Sequence, residues 1–325
     1  MISDTSTSSI RLGIAIPTMN RPDMLRMALR SALAQRRPAD VIYILDNSSK
    51  PDTDLLSEFV GAPIRYRHEA TRFPVEEAFT RVLRETEADY VCLLEDDNLF
   101  GPDHLAAMEE AIRLHPNAGV YSSAAFVFSD DCGAISRNIF APCWPHPVLD
   151  TTPIFIEPGL ALATSIFGTP LCASATAINS AVLKNTQLVP SLCRSPHDCW
   201  RWAQLSAKNG LVFVPQITAW FRVHGSNISH DIRGKQHRAE NWKVTQLVLD
   251  LMEQNDLDPE EWTKRLSAIL SPERRRFLAT VFLRHRKLSA ARRFLPPLLQ
   301  RSSLWACAPE VASISFNMLL TRLGR

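Results

Sequence analysis

Residues 90–98 read Tyr90-Val91-Cys92-Leu93-Leu94-Glu95-Asp96-Asp97-Asn98, an apolar run that ends in three carboxylates and an amide. The apolar part predicts a buried strand, and Gly101-Pro102-Asp103 predicts a helix that begins shortly after it. Adjacent carboxylates repel each other, and each is costly to bury unpaired beside a hydrophobic strand. A hard cation such as Mg²⁺ or Mn²⁺ offsets that cost, and Mg²⁺ typically keeps coordination positions for phosphates. The stretch therefore predicts either a metal–diphosphate site at a strand end or a polar strand-to-helix turn.

Short apolar runs alternate with helical patterns on both sides of this stretch. In the first helix, Leu25, Ala28, Leu29, Ala32 and Leu33 fall on one face, as packing against a sheet requires. The alternation predicts an α/β fold in which a doubly wound, mostly parallel sheet carries helices on both faces. The predicted strands are 11–16, 41–45, 64–67, 90–94 and 118–128, and the predicted helices are one opened at Asn20 and Pro22, then 54–60, 76–87 and 102–114.

Three polar segments follow predicted strands, namely residues 17–21, 46–49 and 95–98. In doubly wound sheets, ligands bind beyond the carboxyl ends of the strands. We therefore expect the three segments to meet at one edge of the sheet and to form a binding site there.

The second half of the chain changes character twice. Residues 140–172 are rich in proline and are predicted to be irregular, whereas a helix at 198–209 and strands at 212–214 and 219–223 follow. Beyond Gly225 the pattern is helical throughout. The predicted organisation is a flexible N-terminus over 1–9, an α/β domain over 10–230 and a small helical region over 231–325, with helices at 236–254, 259–269, 272–287, 288–300 and 308–323.

The composition is that of a soluble globular protein, with 46% hydrophobic and 22% charged residues. The seven cysteines include no Cys-x-x-Cys pair, which argues against a disulfide framework or a zinc knuckle and favours a reducing cytosol. Residues 1–9 lack an apolar signal core, and no window approaches the roughly 18 uninterrupted apolar residues that a membrane-spanning helix needs. We therefore expect a cytoplasmic protein that is not integral to a membrane.

Positive charge is concentrated near the end of the chain. The net charge is only +2, but residues 264–325 hold 13 basic and 2 acidic residues. This basic region predicts either peripheral contact with anionic lipid on the inner face of the membrane, or helices whose charged faces meet solvent or a second subunit. The sequence contains no recognised nucleic-acid-binding motif, so we expect no nucleic-acid partner.

The turn after the first predicted strand differs from the common nucleotide-binding loops. It reads Pro17-Thr18-Met19-Asn20-Arg21-Pro22 and contains neither Gly-x-Gly-x-x-Gly nor Gly-Lys-Ser/Thr. A dinucleotide-binding enzyme or a P-loop NTPase is therefore not expected. The turn can hold a base or a ribose, and Arg21 near a helix start can meet a phosphate. The alternative is a simple capped helix start.

Two more polar residues lie in segments expected at the same edge. Asp46 closes the second predicted strand, and its carboxylate can accept an N–H from a pyrimidine ring or form a turn with Asn47 and Ser48. Arg72 lies in Glu69-Ala70-Thr71-Arg72-Phe73-Pro74, and it either pairs with a diphosphate or is solvated.

Four motifs, taken in order, resemble the inverting family-2 glycosyltransferases with the GT-A fold. They are Ile14-Ala15-Ile16-Pro17-Thr18-Met19-Asn20-Arg21-Pro22, Ile44-Leu45-Asp46-Asn47-Ser48, Leu94-Glu95-Asp96-Asp97-Asn98 and Phe221-Arg222-Val223-His224. The resemblance covers roughly residues 10–230. It implies a metal-dependent, hexosyltransferase-type enzyme with Mn²⁺ or Mg²⁺ as cofactor. Such an enzyme moves a sugar, with inversion, from a nucleoside-diphosphate donor (a UDP-sugar by this resemblance) to a hydroxyl acceptor.

The resemblance also implies a role for individual residues. Asp46 would contact a uracil-type base, Asp96 the ribose and Asp97 the metal that bridges the diphosphate. The catalytic base would be Asp198, in Ser195-Pro196-His197-Asp198-Cys199-Trp200, for which a helix cap is the alternative. His224 would be a further metal ligand or a phosphate contact, unless it is structural. Pro17, Thr18, Asn20 and Arg21 would line the nucleotide, and Arg72 would lie near the base or phosphate.

Departures from the family pattern leave the donor and acceptor open. Met19 stands where an aromatic residue is common, Asn47-Ser48 where Gly-Ser is common, and His197 where glutamate is common before the base. Relatives act in bacterial polysaccharide, lipopolysaccharide and natural-product synthesis, which implies a glycan, glycolipid or natural-product acceptor that is in some cases lipid-linked. The alternatives are a sugar-nucleotide nucleotidylyltransferase and a non-catalytic nucleotide-sugar or membrane-surface binding protein.

Overall fold

The computed structural model describes residues 9–129, 135–139, 152–166, 171–186, 197–225 and 235–267. The strands are β1 (Leu12–Thr18), β2 (Val41–Asp46), β3 (Ile64–His68), β4 (Tyr90–Leu93), β5 (Leu99–Phe100), β6 (Val120–Ser129), β7 (Ile135–Ile139), β8 (Ile154–Ile156), β9 (Thr176–Asn179) and β10 (Leu211–Val223). The helices are α1 (Pro22–Leu33), α2 (Leu55–Glu58), α3 (Val75–Glu85), α4 (His104–Leu114), α5 (Pro158–Ser165), α6 (Ser180–Leu183), α7 (His197–Asn209), α8 (Lys235–Gln254) and α9 (Pro259–Ser267), with a 3₁₀ turn at Ala173–Ala175.

The strands form one mixed sheet in the order β3-β2-β1-β4-β9-β6-β10-β5, with β7 paired to β6 and β8 to β10. β1 is parallel to β2 and β4, β2 to β3, and β6 to β10, so most paired residues are in parallel ladders. The register sets Thr18 opposite Asp46 and Ala15 opposite Leu93. The carboxyl ends of β1, β2 and β4 therefore reach the same edge. The predicted α/β, mostly parallel sheet is confirmed.

Helices cover both faces of the sheet. Ile14, Ile16, Ile42 and Ile44 pack in one buried cluster with α1 and α4. The alternate residues of the same strands, including Ala15, Tyr43 and Leu45, pack in a second cluster with α3 and α7. Because successive strand residues point to opposite faces, both faces of a central strand must be apolar and covered. This explains why β1 and β2 read as continuous hydrophobic runs.

Two local predictions are wrong. Residues 140–172 were expected to be irregular, yet they include β8 and α5. The expected strands 212–214 and 219–223 are one strand, β10, which continues past Pro215 with register shifts between Val214 and Ala219. Proline lacks the N–H that a regular ladder needs, so the strand bulges there and then resumes pairing.

The chain divides into two compact units, Met1–Asp256 and Leu257–Arg325. The first unit extends past residue 230, where the sequence placed a boundary. It does so because α8 contacts α5 and α7, and Val244, Val248 and Met252 of α8 are buried. In the second unit the structure describes residues up to 267, including α9. The helices expected at 272–287, 288–300 and 308–323, and the basic region they carry, lie outside the described residues.

Within the described ranges, none of the helices combines the length and apolar character needed to cross a membrane. Cys92, Cys172 and Cys199 are buried.

Candidate functional site

The end of β1 is tied directly to the acidic motif that follows β4. The Thr18 hydroxyl donates to Asp96 Oδ2 at 2.8 Å, and the Met19 N–H lies 3.4 Å from the same oxygen. Pro17 is buried in β1 opposite Leu45 of β2. Thr18 and Asp96 are therefore brought together as predicted.

Arg21 lies between the two adjacent aspartates. Its Nη1 is 3.1 Å from Asp96 Oδ1 and 2.7 Å from Asp97 Oδ2. Burial raises the pKa of Asp96 to about 6, the negative charge of Asp97 adds to this, and Arg21 opposes it. The guanidinium thus supplies positive charge at the point where the two carboxylates converge, which offsets their mutual repulsion.

The end of β10 closes the site from the other side. The His224 Nε2 is 3.1 Å from Asp97 Oδ2. Arg222 donates its backbone N–H to Asn98 Oδ1 at 2.8 Å and its Nε–H to the Asp97 carbonyl at 2.9 Å. Residues 222–224 therefore hold the acidic motif in place and bring the predicted pair, Asp97 and His224, into contact.

Glu95 forms hydrogen bonds inside the acidic motif and with the neighbouring 3₁₀ turn. Its Oε2 accepts from Asn98 Nδ2 at 2.8 Å and from the Ser174 hydroxyl at 2.9 Å. The pKa of Glu95 is raised to about 8, first by burial and then by the negative charge of Asp97, with smaller contributions from Asp198 and Asp96, while the hydrogen bond from Ser174 opposes the shift. Glu95 orients Asn98, which in turn fixes Arg222.

The donor set at Asp97 suits a hard or borderline divalent cation. Asp97 Oδ2 and His224 Nε2 lie close together, and the guanidinium of Arg21 binds the same carboxylate oxygen, so positive charge is favourable there. Among the described residues, no group of three His, Cys, Asp or Glu side chains comes together as a metal site. A cation here would have Asp97 and His224 as protein ligands, and phosphate oxygens and water would complete its coordination.

A cavity of about 610 Å³ opens beside these residues, between the loops after β1 and β2. Asn20 joins the two loops in a left-handed conformation with φ of 55°. Its N–H donates to the Ser48 hydroxyl at 2.7 Å, and its Oδ1 accepts from the Ser49 N–H at 3.0 Å. The lining residues are Thr18, Asn20, Arg21, Pro22, Asp23, Leu25, Arg26, Asp46 and residues 48–54.

Asp46 lies at the floor of this cavity and is only 2% exposed. Next to it, Asn47 donates to the carbonyls of Glu69 and Thr71 and accepts from the Phe73 N–H at 2.6 Å. Arg72 is exposed between these anchored residues. The structure thus brings Arg72 to the end of β2, but outside the lining of the cavity.

Asp198 lies in the first turn of α7 and is half-buried. Its Oδ1 accepts from the adjacent Cys199 N–H at 2.8 Å. It is also close enough for its charge to act on the acidic motif, because it contributes to the raised pKa of Glu95. Burial lowers the pKa of the neighbouring Arg201 to about 10, and the charges of Asp198 and Glu95 oppose that shift.

Three side chains organise the site although the sequence analysis gave them no role in it. Asn47 holds the loop that carries Arg72, Arg222 holds the acidic motif, and Tyr66 of β3 donates its hydroxyl to Asp46 Oδ2. The available signal for Tyr66 was its place two residues before the end of a strand adjacent to β2. Its partner, however, depends on the register that sets Tyr66 opposite Ile44.

The comparison with known families points to one class of protein. Residues 13–156 match the family model described as glycosyl transferase family 2. The resemblance to family 2 that the motifs predicted is confirmed over this segment.

Individual relatives are distant. An uncharacterized glycosyltransferase of Rickettsia conorii is 23% identical over 224 residues, 66% of this chain and 33% of the relative. Protein CgeD of Bacillus subtilis is 26% identical over 133 residues, 38% of this chain and 31% of CgeD. The chain thus spans about one third of the length of the curated relatives it matches.

Among solved structures, S. aureus TarS 1–349 in complex with UDP-GlcNAc matches with a TM-score of 0.62 at 14% identity, over 86% of this chain and 84% of that one. The same protein in complex with UDP matches with a TM-score of 0.61 at 13% identity, over 97% and 92%. At this identity the likeness establishes the fold, and the predicted GT-A-type architecture is confirmed.

Proposed function

We propose that this protein is a metal-dependent, inverting glycosyltransferase that uses a nucleoside-diphosphate sugar, specifically a UDP-sugar, and a hydroxyl acceptor. The observation that carries the proposal is the convergence of Asp96, Asp97, Arg21 and His224 beside a cavity whose floor is Asp46. The family-2 match over residues 13–156 and the complexes of TarS with UDP and UDP-GlcNAc support the choice of donor.

Each residue has a specific task in this proposal. Asp46 accepts an N–H of the base, Asp96 and Thr18 hold the ribose, and Asp97 with His224 holds a divalent cation. A divalent cation held by Asp97 and His224 would supply positive charge next to the departing nucleoside diphosphate. Arg21, already within reach of both carboxylates, moves to pair with the diphosphate.

Asp198 is the proposed general base. It takes the proton of the acceptor hydroxyl while that oxygen bonds to the anomeric carbon and the bond to the nucleoside diphosphate breaks on the opposite face. This displacement inverts the anomeric centre.

Titration of the protein with UDP-GlcNAc, UDP-glucose, GDP-mannose and CDP, each with and without Mn²⁺, tests the proposal. We expect tightest binding for a UDP-sugar and at least about a tenfold loss when Mn²⁺ is replaced by EDTA, because the diphosphate loses its countercharge. Isothermal titration calorimetry measures both. Absence of nucleotide binding in every arm would rule the proposal out, as would metal-independent binding for its metal-dependent part.

We further propose that the acceptor is lipid-linked and that the basic region 264–325 contacts anionic lipid. Changing Arg274, Arg275 and Arg276 to glutamine in the full chain should weaken binding to phosphatidylserine vesicles by roughly a hundredfold, since each basic residue near such a surface contributes about 1 kcal/mol. Co-sedimentation measures this. As a matched control, glutamine at the exposed Arg30, Arg65 and Arg113 should leave binding unchanged. Equal loss in both triple variants would contradict a dedicated lipid contact.

A further inference from the structure

Tyr66 connects two walls of the cavity from behind. Its hydroxyl donates to Asp46 Oδ2, and the hydroxyl oxygen accepts the Asp52 N–H at 2.9 Å. Asp46 and Asp52 both line the cavity, whereas Tyr66 does not. Any effect of Tyr66 on a ligand is therefore transmitted through these two neighbours.

Both carboxylate oxygens of Asp46 accept a hydrogen bond from the protein. Oδ2 accepts from Tyr66, and Oδ1 accepts from the Ser48 N–H at 2.8 Å. A carboxylate has about four lone-pair positions, so one remains at each oxygen for a ligand. Both protein contacts use Asp46 as an acceptor, so a carboxylate oxygen is what this residue presents to the cavity.

This chemistry discriminates between bases. Uracil presents a ring N–H, which an acceptor-only carboxylate can bind. Cytosine presents a ring nitrogen acceptor at the same position, and that lone pair would face the negative oxygens of Asp46. Guanine also presents a ring N–H, so the shared chemistry is a base with a ring N–H donor next to a carbonyl. Placing an acceptor against a buried acceptor leaves both without a donor, which weakens binding.

We propose that Tyr66 is a positioning residue for base selection, because it holds Asp46 as an oriented acceptor that admits a ring N–H and rejects a ring nitrogen lone pair. The inference rests on the proposed nucleotide-sugar function and extends it to a residue that does not touch the donor.

A neighbouring tyrosine provides a matched control. Tyr43, on the adjacent strand β2, also donates its hydroxyl to a carboxylate, that of Glu85 on α3. Tyr43 packs in the cluster on the α3 face of the sheet and does not line the cavity. A second control addresses Asp52, the other cavity residue that Tyr66 contacts. Arg26 Nη1 binds Asp52 Oδ2 at 2.7 Å without contacting Asp46. Arg26→Gln therefore loosens the wall and leaves the Tyr66–Asp46 bond intact.

The experiment measures UDP, GDP and CDP affinity by calorimetry in Mn²⁺ for the wild type, Tyr66→Phe, Tyr43→Phe and Arg26→Gln. For Tyr66→Phe we expect UDP affinity to fall about tenfold, because Asp46 is no longer held in position to accept the ring N–H of uracil. CDP affinity should change by less than about twofold, because cytosine has no ring N–H to donate to Asp46. The UDP:CDP preference should then fall about tenfold. Tyr43→Phe should keep the wild-type affinities and preference, whereas Arg26→Gln, at a residue that lines the cavity, should change the affinity for UDP, GDP and CDP alike and so keep the preference. In steady-state assays with the UDP-sugar, KM should rise while kcat stays within about twofold.

Each other result has a defined meaning. An unchanged UDP:CDP preference in Tyr66→Phe, or an equal loss for all three nucleotides, would overturn the inference in favour of a structural role. A wild type that prefers CDP would overturn it as well. A wild type that binds no nucleotide would instead refute the proposed function. Thermal unfolding checks that the variants are folded, and Tyr66→Met, which also lacks the hydroxyl, replaces Tyr66→Phe if that variant does not unfold cooperatively.

Discussion

Changing Asp97 to asparagine is expected to abolish sugar transfer, with kcat/KM falling about a thousandfold or more, because the proposed cation would lose its carboxylate ligand beside the leaving diphosphate. The Mn²⁺-dependent gain in nucleotide affinity should disappear in the same variant. Asparagine keeps the size of the side chain but loses the negative charge that faces Arg21 and His224. Calorimetry with UDP in the presence of Mn²⁺ or EDTA, together with turnover, measures both effects.

Asp103→Asn is the control for this change. Asp103 lies six residues later, its side chain is 46% exposed, and it pairs with Arg36 at the surface. It should bind nucleotide and turn over like the wild type. If Asp97→Asn retains the Mn²⁺ dependence of the wild type, the cation is held elsewhere and the assignment of Asp97 is wrong.

The second large effect is expected at Asp198. Changing it to asparagine should lower kcat by about 10²- to 10⁴-fold, the usual contribution of a general base, while donor affinity stays within about twofold. The amide oxygen can still accept the Cys199 N–H, so the start of α7 should be preserved. Turnover with a UDP-sugar and calorimetry with UDP separate the two quantities.

Asp258→Asn is the control for this variant. The carboxylate of Asp258 also accepts a backbone N–H at the start of a helix, that of Glu260 at 2.9 Å in α9. Asp258→Asn should leave kcat unchanged. Full turnover by Asp198→Asn would move the base to another residue. The result also separates an enzyme from a non-catalytic nucleotide-sugar binding protein, because such a protein has no turnover to lose.

The sequence was sufficient for the elements whose signal is local. β1, β2 and β4 are buried on both faces and read as continuous apolar runs, and α1 shows its buried stripe at Leu25, Ala28 and Leu29. β9 was missed because four residues, Thr176–Asn179, fit between β4 and β6 only through antiparallel pairing with strands far away in the chain. β5 has two residues and exists only through its pairing with β10.

The location of the site was predictable for a similar reason. Parallel strands end at a common edge, so Thr18, Asp46 and Asp96 had to come near one another once the strand order was known. The contacts themselves were not predictable. That Arg21 binds both aspartates, or that Tyr66 meets Asp46, depends on register and side-chain direction, which a single sequence does not encode locally. The catalytic and metal-binding roles stay predictions until the variants are measured.

β10 imposes a constraint on how this protein can vary. One strand leads from Leu211, next to the end of the helix that carries Asp198, past the register shifts between Val214 and Ala219 and on to Val223, beside His224. From Ala219 to Val223 the pairing with β6 is regular, so deleting one residue there would reverse which face every later side chain occupies, and His224 would turn away from Asp97. Insertions and deletions should therefore be tolerated in the surface loops but selected against between Ala219 and Val223, because the length of this segment determines which face His224 occupies.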